Sequence, residues 1–396
     1  MLTGGGSGGH ITPILAVADE IKELSPGAEL FYVGQKGDKL GDIPKQHMSI
    51  TGTYVIRAGK FRRYHGQGIW QIFDLLTLCK NVRDAFYVVI GIIQAYRLLG
   101  RLKPAVVFVK GGFVGLPVGI AARFRHIPYV THDSDALPGL TNRLLSKHAS
   151  QHAVAMPKDL YNYPADKTVY LGVPIGAGYK PVNEQAMLTF RREIGLDGYK
   201  HILLVTGGGL GAQRINDAII MTADKLLADY PELALVHIVG RKHELDVKKQ
   251  YKKVLSEEQL KQVFIKGYIT DLHRYSGAAD VVVTRAGATA LAEFATQNKP
   301  CIVIPNPYLT GGHQLKNIEP FAKSGAIRVV DEGALKTDPE KLLVAIRGLL
   351  ASRESRNELS QNIATFAKPA AAKDLANLLL TYKSKLKESN ASATKN

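Results

Sequence analysis

Cysteine is scarce in this chain: two occur among 396 residues, Cys79 and Cys301. They lie far apart, and no CxxC or Cys/His spacing accompanies them. Neither a disulfide framework nor a zinc site is expected, and a reducing compartment fits. Long apolar runs are also missing. The longest, "AFYVVIGII" at Ala85–Ile93, is far below the ~20 residues of a spanning helix. No charged region followed by an apolar stretch opens the chain, so no signal peptide is expected. Acids are outnumbered, with 35 Asp and Glu against 51 Lys and Arg, a formal charge of +16. That balance points to an anionic partner, such as nucleic acid, anionic lipid or a phosphorylated substrate. The alternative is a solvated basic surface.

What is present is ordinary for a folded protein. Hydrophobic residues make up 45% of the chain, and the length favours two domains. The basic excess is concentrated. Between Arg57 and Lys103 stand nine basic residues against two acids, Asp74 and Asp84. Phe61, Trp70, Ile72, Phe73, Phe86, Tyr87 and Ile92 are mixed among them. Basic and large apolar residues together suit the headgroup boundary of an anionic leaflet; the alternative is that the apolar ones are core.

Short apolar runs, "ELFYVG" at 29–34, "PAVVFVKGG" at 104–112 and "PYVTHD" at 128–133, alternate with helix-like segments. This is the pattern of parallel βαβ units covered on both sheet faces. Residues 170–182, "YLGVPIGAGYKPV", read as a linker. The alternation then restarts with "HILLVTGGGLGAQ", and further strands follow at 233–241, 262–269, 279–287 and 299–307. The expected fold class is α/β: an N-terminal domain over 1–173, a second over 182–365, and a helix near 366–383 returning to the first. The polar end beyond it is expected to fray.

Two glycine loops follow strands and open helices. "GGGSGG" (Gly4 to Gly9) fits G-x-G-x-x-G and "GGGLGA" (Gly207 to Ala212) fits G-x-G-x-x-A. Each is weak evidence alone. Glycines let backbone amides meet an anion at a helix N-terminus; each loop could equally be a tight turn without a ligand. Thr12 and Pro13 suit the N-cap and first turn of the first helix. A nicotinamide reading needs an acid at the end of the next strand, and Gln35 and Arg241 stand there. A third segment, "TRAGATALAEFA", has Gly287–Ala290 amides suited to a diphosphate and Glu293 about a turn further on, suited to ribose hydroxyls. The alternative is a solvent-facing glutamate. In "GGHQLKNIEPF", His313, Gln314 and Asn317 bring amides that suit neutral sugar hydroxyls, or form an ordinary polar loop.

Six segments in order, "GGGSGGHITPILAVADEI", "KGGFVGLPVGIAA", "THDSDALPGLTNRLLSKHA", "VTGGGLGAQRIND", "RAGATALAEFA" and "HQLKNIEPFAKSGAI", resemble the motifs of the MurG family of glycosyltransferase family 28. The resemblance covers about residues 3–370. It implies the GT-B fold: two Rossmann-like domains with parallel sheets facing a cleft, acceptor on the first and donor on the second. It also implies inverting transfer of GlcNAc from UDP-GlcNAc to the C4 hydroxyl of undecaprenyl-pyrophosphoryl-MurNAc-pentapeptide (lipid I), giving lipid II in peptidoglycan synthesis. The implied base is His10, an imidazole that titrates near neutrality. Gly5, Gly6, Ser7, Gly8, Gly9, Gly112 and Gly115 would cradle the acceptor diphosphate. Gly287, Ala288, Thr289 and Ala290 would hold the UDP phosphates, Glu293 the ribose, Ile269 the uracil by its backbone, and Gln314 with Asn317 the GlcNAc. No metal and no cofactor beyond the donor are implied. The location implied is the cytoplasmic face of the cell membrane, peripheral, through the basic–apolar stretch 57–103, with no nucleic acid as partner.

Departures from the family pattern gather on the donor side. "HDSD" replaces "HEQN", so Asp135 stands where an asparagine meets the donor sugar, and an ionised Asp cannot donate. "GVPIG" replaces "GNPVR", which puts Gly176 in place of an arginine; Arg214 or Arg285 could compensate. "GGGLGAQ" replaces "GGSQGAR", leaving Gly209 and Leu210 on the donor side. The alternatives are a related lipid glycosyltransferase with another UDP-sugar or a glycerolipid acceptor, and a UDP-sugar epimerase of the same fold. A protein with a decayed site is a further alternative, against which His10 and Glu293 stand. Only Met1, Leu2 and Thr3 precede the first loop, where a strand of ~5–6 residues is usual. The expectation is a true start further upstream and low stability.

Overall fold

The computed structural model describes the chain apart from residues 6–7, 39–40, 61–74, 209–210, 308–311 and 394–396. It divides into two compact units, Met1–Ala177 with Lys368–Asn396, and Gly178–Ala367.

Among the described residues, unit 1 holds a seven-stranded sheet: β1 (Leu2–Thr3), β2 (Phe31–Gln35), β3 (Gly52–Ile56), β4 (Val107–Val109), β5 (Tyr129–Asp133), β6 (Gln151–Val154) and β7 (Thr168–Tyr170). Their order is β3-β2-β1-β4-β5-β6-β7, and every pairing is parallel. Short as it is, β1 is central: Leu2 pairs with Tyr32 and Phe108, Thr3 with Val33 and Val109. The Met1 ammonium donates to the Val106 carbonyl at 2.9 Å. Burial pushes its pKa down to about 5.

Alternate strand residues fill two cores, as a period of two requires. Leu2, Tyr32, Phe108 and Val130 face Ile14 and Val17 of helix Gly8–Leu24 and Leu375 and Leu379 of helix Ala371–Ala393. Val33, Val107 and Val109 face Val88 and Leu99 of helix Leu75–Leu102 and Val114 and Val118 of helix Gly112–Phe124. Each fully buried Leu or Val contributes roughly 1.5–3 kcal/mol.

Unit 2 holds, among its described residues, a six-stranded parallel sheet: β8 (His201–Thr206), β9 (Leu233–Ile238), β10 (Val263–Lys266), β11 (Val281–Thr284), β12 (Cys301–Val303) and β13 (Arg328–Val329). The order is β10-β9-β8-β11-β12-β13. The strands β8, β9 and β11 are near-continuous apolar runs because both faces are covered. His237 within β9 is satisfied by Tyr251 Oη at 2.8 Å and Asn216 Oδ1 at 3.1 Å. Cys301 is buried, and burial raises its thiol pKa, so it is an inert core residue.

Candidate active site

In unit 1 the ends of β1, β4 and β5 meet the starts of two helices, the usual place for a ligand in an open parallel sheet. Helix Gly8–Leu24 begins four residues before Thr12. Thr12 is therefore inside it, its hydroxyl bonded back to the Gly8 carbonyl at 3.1 Å. Pro13 is the sixth helical residue rather than part of the first turn. The glycine loop itself supplies the first turn, which is why cap chemistry pointed too far along the chain. Gly8 and Gly9 are exposed, whereas Gly6 and Ser7 lie outside the described residues.

The second loop is held open by glycine conformation. Gly111 has φ +103° and Gly112 φ +74°, regions that L side chains disfavour. A Cβ on Gly112 would stand 2.7 Å from the Gly5 carbonyl and 3.6 Å from His10 Nδ1; one on Gly111 would stand 3.8 Å from His10 Nε2. So the His10 ring lies against the start of helix Gly112–Phe124. Gly115 does a different job. It is buried, and a Cβ there would stand 2.7 Å from Val109 Cγ1, so this glycine seats the helix on β4.

His10 hydrogen-bonds the Gly5 carbonyl. A ring nitrogen that donates to a carbonyl leaves the other as an acceptor. Burial first, then the cation of Lys110, push its pKa down to about 4, with Asp135 opposing. Lys110 itself is 3% exposed and donates to Ser134 Oγ at 2.9 Å. Burial brings its pKa down to about 8 against the pull of Asp133 and Asp135. Asp133 accepts from the Gly139 amide at 3.1 Å and from Tyr163 Oη at 2.9 Å, while burial raises its pKa. Asn142 Nδ2 donates to the His132 carbonyl at 2.9 Å, and Tyr161 Oη to the Asp135 carbonyl at 2.9 Å. The β5 loop that carries Asp135 is thus pinned at both ends.

Unit 2 presents a second helix start. Gly287 caps helix Ala288–Thr296 with φ −74°, and a Cβ there would meet nothing within 4 Å among the described residues. Glu293 is a turn and a half along the helix and is hydrogen-bonded by Tyr179; burial raises its pKa to about 8. Gln314, at the second position of helix His313–Lys323, accepts the Asn306 amide through Oε1 at 2.8 Å. Asn317 is fully buried, and its Nδ2 donates to the Ala286 carbonyl at 3.1 Å, so it braces the turn before Gly287. Ile269 lies between β10 and helix Leu272–Ala278, in neither strand nor helix. Gly209 and Leu210 are outside the described residues. In the same loop a Cβ on Gly211, at φ +78°, would stand 2.2 Å from the Val239 carbonyl.

Neither arginine suggested as a substitute for the one missing at Gly176 is uncommitted. Arg214 Nη1 bonds Glu332 Oε2 at 3.0 Å, and Arg285 holds the other oxygen of the same buried carboxylate. Sequence reasoning missed Lys110, Ser134 and Tyr179. The signal for Lys110 was a lysine closing a buried strand; Tyr179 stood in a segment read only as linker.

Outside these sites, helix Leu75–Leu102 exposes Val82, Phe86, Val89, Ile93 and Tyr96, a stripe spaced 4, 3, 4, 3. Arg57 and Arg83 lie over the Tyr87 ring at 5.3 and 5.5 Å, and Arg125 over Tyr96 at 3.8 Å. Residues 80–102 are long and apolar enough to cross a membrane by length and composition, which the uninterrupted apolar run did not suggest. However, the face with Val88, Ala95, Leu98 and Leu99 is built into the core of unit 1.

Residues 1–154 match the model of the glycosyltransferase family 28 N-terminal domain, and 202–375 that of the C-terminal domain. A UDP-N-acetylglucosamine–N-acetylmuramyl-(pentapeptide) pyrophosphoryl-undecaprenol N-acetylglucosamine transferase of Clostridium botulinum is 33% identical over 384 residues, 96% of this chain and 98% of that protein. Among solved structures, Acinetobacter baumannii MurG superposes with a TM-score of 0.68 at 23% identity, covering 96% of this chain and 98% of that one. UDP-GlcNAc 2-epimerase from Neisseria meningitidis, bound to UDP-GlcNAc, gives 0.64 at 15% identity, covering 96% and 99%. These structures share the GT-B fold.

Proposed function

The chain belongs to glycosyltransferase family 28, and on that premise we propose that it transfers GlcNAc from UDP-GlcNAc to lipid I. The observation that carries the reading is His10, held by the Gly5 carbonyl against the start of helix Gly112–Phe124. The acceptor's C4 hydroxyl attacks the anomeric carbon of GlcNAc. The O4–C1 bond forms, the bond from C1 to the β-phosphate oxygen breaks, and UDP leaves with inversion. The hydroxyl proton passes to His10. The backbone amides of Gly5, Gly8, Gly9 and Gly112 suit the acceptor diphosphate.

On the donor side, the Gly287–Ala290 turn takes the charge growing on UDP, as fixed dipoles do without reorganising. Glu293 receives the ribose hydroxyls, exchanging its bond from Tyr179 for theirs. Ile269 offers its backbone to the uracil. Gln314, its Oε1 engaged, offers its NH2 to a sugar hydroxyl. Asn317 acts by holding the turn. The reading needs no resident metal.

The exposed stripe of helix Leu75–Leu102, with its arginines, suits an anionic membrane surface. The packed face of that helix favours lying on the surface over crossing it. Such a lipid-facing patch also suits a polyprenyl acceptor better than the epimerase alternative, which the fold alone leaves open.

The test is transfer of radiolabel from UDP-GlcNAc to a short-chain lipid I analogue, with UDP-glucose and UDP-galactose alongside. Transfer from UDP-GlcNAc only, lost in His10→Ala, is expected. Release of free epimerised sugar without acceptor would favour the epimerase. Sedimentation with anionic but not neutral vesicles, reduced in Phe86→Asp, is expected for the membrane reading.

A further inference from the structure

Gln297 follows the last residue of helix Ala288–Thr296, the helix that carries Glu293, and it is fully buried. A buried side-chain amide costs free energy unless both of its ends are paired. Both are, and both into one neighbouring helix. Gln297 Nε2 donates to the His273 carbonyl at 2.7 Å, and its Oε1 accepts from Ser276 Oγ at 2.5 Å. His273 and Ser276 belong to helix Leu272–Ala278, which starts three residues after Ile269.

The far end of that helix is held by other groups. Lys299 is 4% exposed and donates its Nζ to the Gly277 and Ala279 carbonyls at 2.6 and 3.0 Å. Arg191 Nε donates to the Ala278 carbonyl between them at 3.2 Å. Two buried cations thus satisfy the negative end of the helix, and its folding does not depend on Gln297. What Gln297 adds is a grip further up, at His273. The His273 ring carries that grip onward. It stands edge-on to Tyr179 at 5.9 Å and to Phe190 at 6.3 Å, and a Cβ on Gly178 would lie 2.9 Å from it. Tyr179 in turn hydrogen-bonds Glu293. The circuit closes on the helix where it began, because the Gln297 backbone amide bonds the Glu293 carbonyl at 3.2 Å.

We propose that Gln297 is a positioning residue for the donor site: it ties helix Leu272–Ala278 to helix Ala288–Thr296, fixes through His273 and Tyr179 where the Glu293 carboxyl stands, and so sets the preference for a ribonucleotide over a deoxyribonucleotide. The inference rests on the ribose role given to Glu293 above; the contacts of Gln297 do not. A group that must meet two hydroxyls has to be held to within about 0.5 Å. Without the grip, helix Leu272–Ala278 can shift and take Tyr179 with it, and the bond to the 2′-hydroxyl is lost. The Gly287–Ala290 turn lies at the other end of its helix and keeps its hold on the diphosphate. The loss therefore falls on binding at the ribose and not on the transfer step.

The experiment compares UDP with 2′-deoxy-UDP by calorimetry, in the full chain and in Gln297→Met, a side chain of similar length with no donor. The parent should bind UDP about tenfold more tightly than 2′-deoxy-UDP, the worth of one hydrogen bond to a carboxyl. In Gln297→Met that ratio should fall to within about twofold, UDP affinity should drop about tenfold, and kcat at saturating UDP-GlcNAc should stay within about threefold. A merely structural role would weaken both nucleotides alike. Gln297→Glu at pH 5 should keep the parent's ratio, because a neutral carboxyl donates and accepts as the amide does. A folded Gln297→Met that discriminates as the parent does overturns the proposal, and so does a folded Gln297→Glu that has lost discrimination at pH 5. If thermal melts show Gln297→Met to be unfolded, Gln297→Glu decides alone. Its ratio should hold at pH 5 and collapse at pH 9, where the ionised carboxylate cannot donate to the His273 carbonyl, while the parent's holds at both. An unchanged ratio at pH 9 overturns the proposal. A parent that binds both nucleotides alike removes the ribose role of Glu293 and this inference with it; a discriminating parent beside an equally discriminating variant removes the inference alone.

Discussion

The two units solve one problem, meeting a diphosphate with a helix start, in different ways. In unit 1 the glycines that open helix Gly112–Phe124 are demanded by the chain. Gly111 and Gly112 have positive φ, and a side chain at Gly112 would collide with the Gly5 carbonyl. Buried polar groups surround them: Lys110, Asp133 and the His10 ring. In unit 2, Gly287 has φ −74° and open space where a Cβ would be. Nothing among the described residues requires glycine there. The local cations Arg214 and Arg285 are spent on Glu332. The first site is organised before anything binds; the second is left open for something to fill. A glycine that its own protein does not explain is the stronger pointer to a ligand.

Three substitutions would sharpen or break this contrast, starting with the largest effect. His10→Ala should reduce transfer by about 10²–10⁴-fold and leave UDP affinity, measured by calorimetry, unchanged. If UDP binding fell in step, the two sites would not be separable. Gly112→Ala should lower stability by about 1–3 kcal/mol through its positive φ and abolish most transfer. Gly287→Ala should leave the melting temperature within a degree or two while weakening UDP by about tenfold. Equal melting shifts in the two glycine variants would erase the distinction.

The pH dependence separates the sites again. With His10 as base in the free enzyme, kcat/KM should fall as pH drops through about 4. Glu293 has a folded pKa of about 8, above the ordinary glutamate value of 4.5. The native state then binds the extra proton between those values, so this residue costs stability as pH rises through that window. Glu293→Gln should therefore gain about 4 kcal/mol over the parent at pH 8.5 relative to pH 4.5 in thermal melts, while losing UDP affinity. No pH dependence of that gain would mean the carboxyl is not desolvated.

Much of the fold was legible because β4, β8, β9 and β11 are short apolar runs with a glycine within three residues of their ends, a signal that depends only on neighbours in sequence. Strands β3, β6 and β7 escaped because "GTYVI", "QHAV" and "TVY" are short and mixed. The long helix Leu75–Leu102 escaped as a long apolar element because its hydrophobicity is spread over a stripe and a packed face rather than a run. In the sites, His10, Glu293 and the glycines stood out by motif. Lys110 and Tyr179 did not, since their importance comes from which strand ends and loops become adjacent. The brief first strand begins at a buried Met1 nitrogen that donates to the Val106 carbonyl, and burial lowers its pKa to about 5. Calorimetry of the full chain would measure how much it matters.

The chain leaves unit 1 after Ala177 and comes back to it at Lys368. Leu375, Ala376 and Leu379 of the last helix then complete the core against Ile14, Val17 and Phe108. A ribosome makes these late residues after nearly everything else. Until they emerge, one face of the first sheet is covered only in part, by helix Gly8–Leu24, while the whole of Gly178–Ala367 has had time to fold. The N-terminal unit, first to be synthesised, is in this protein the last to be finished.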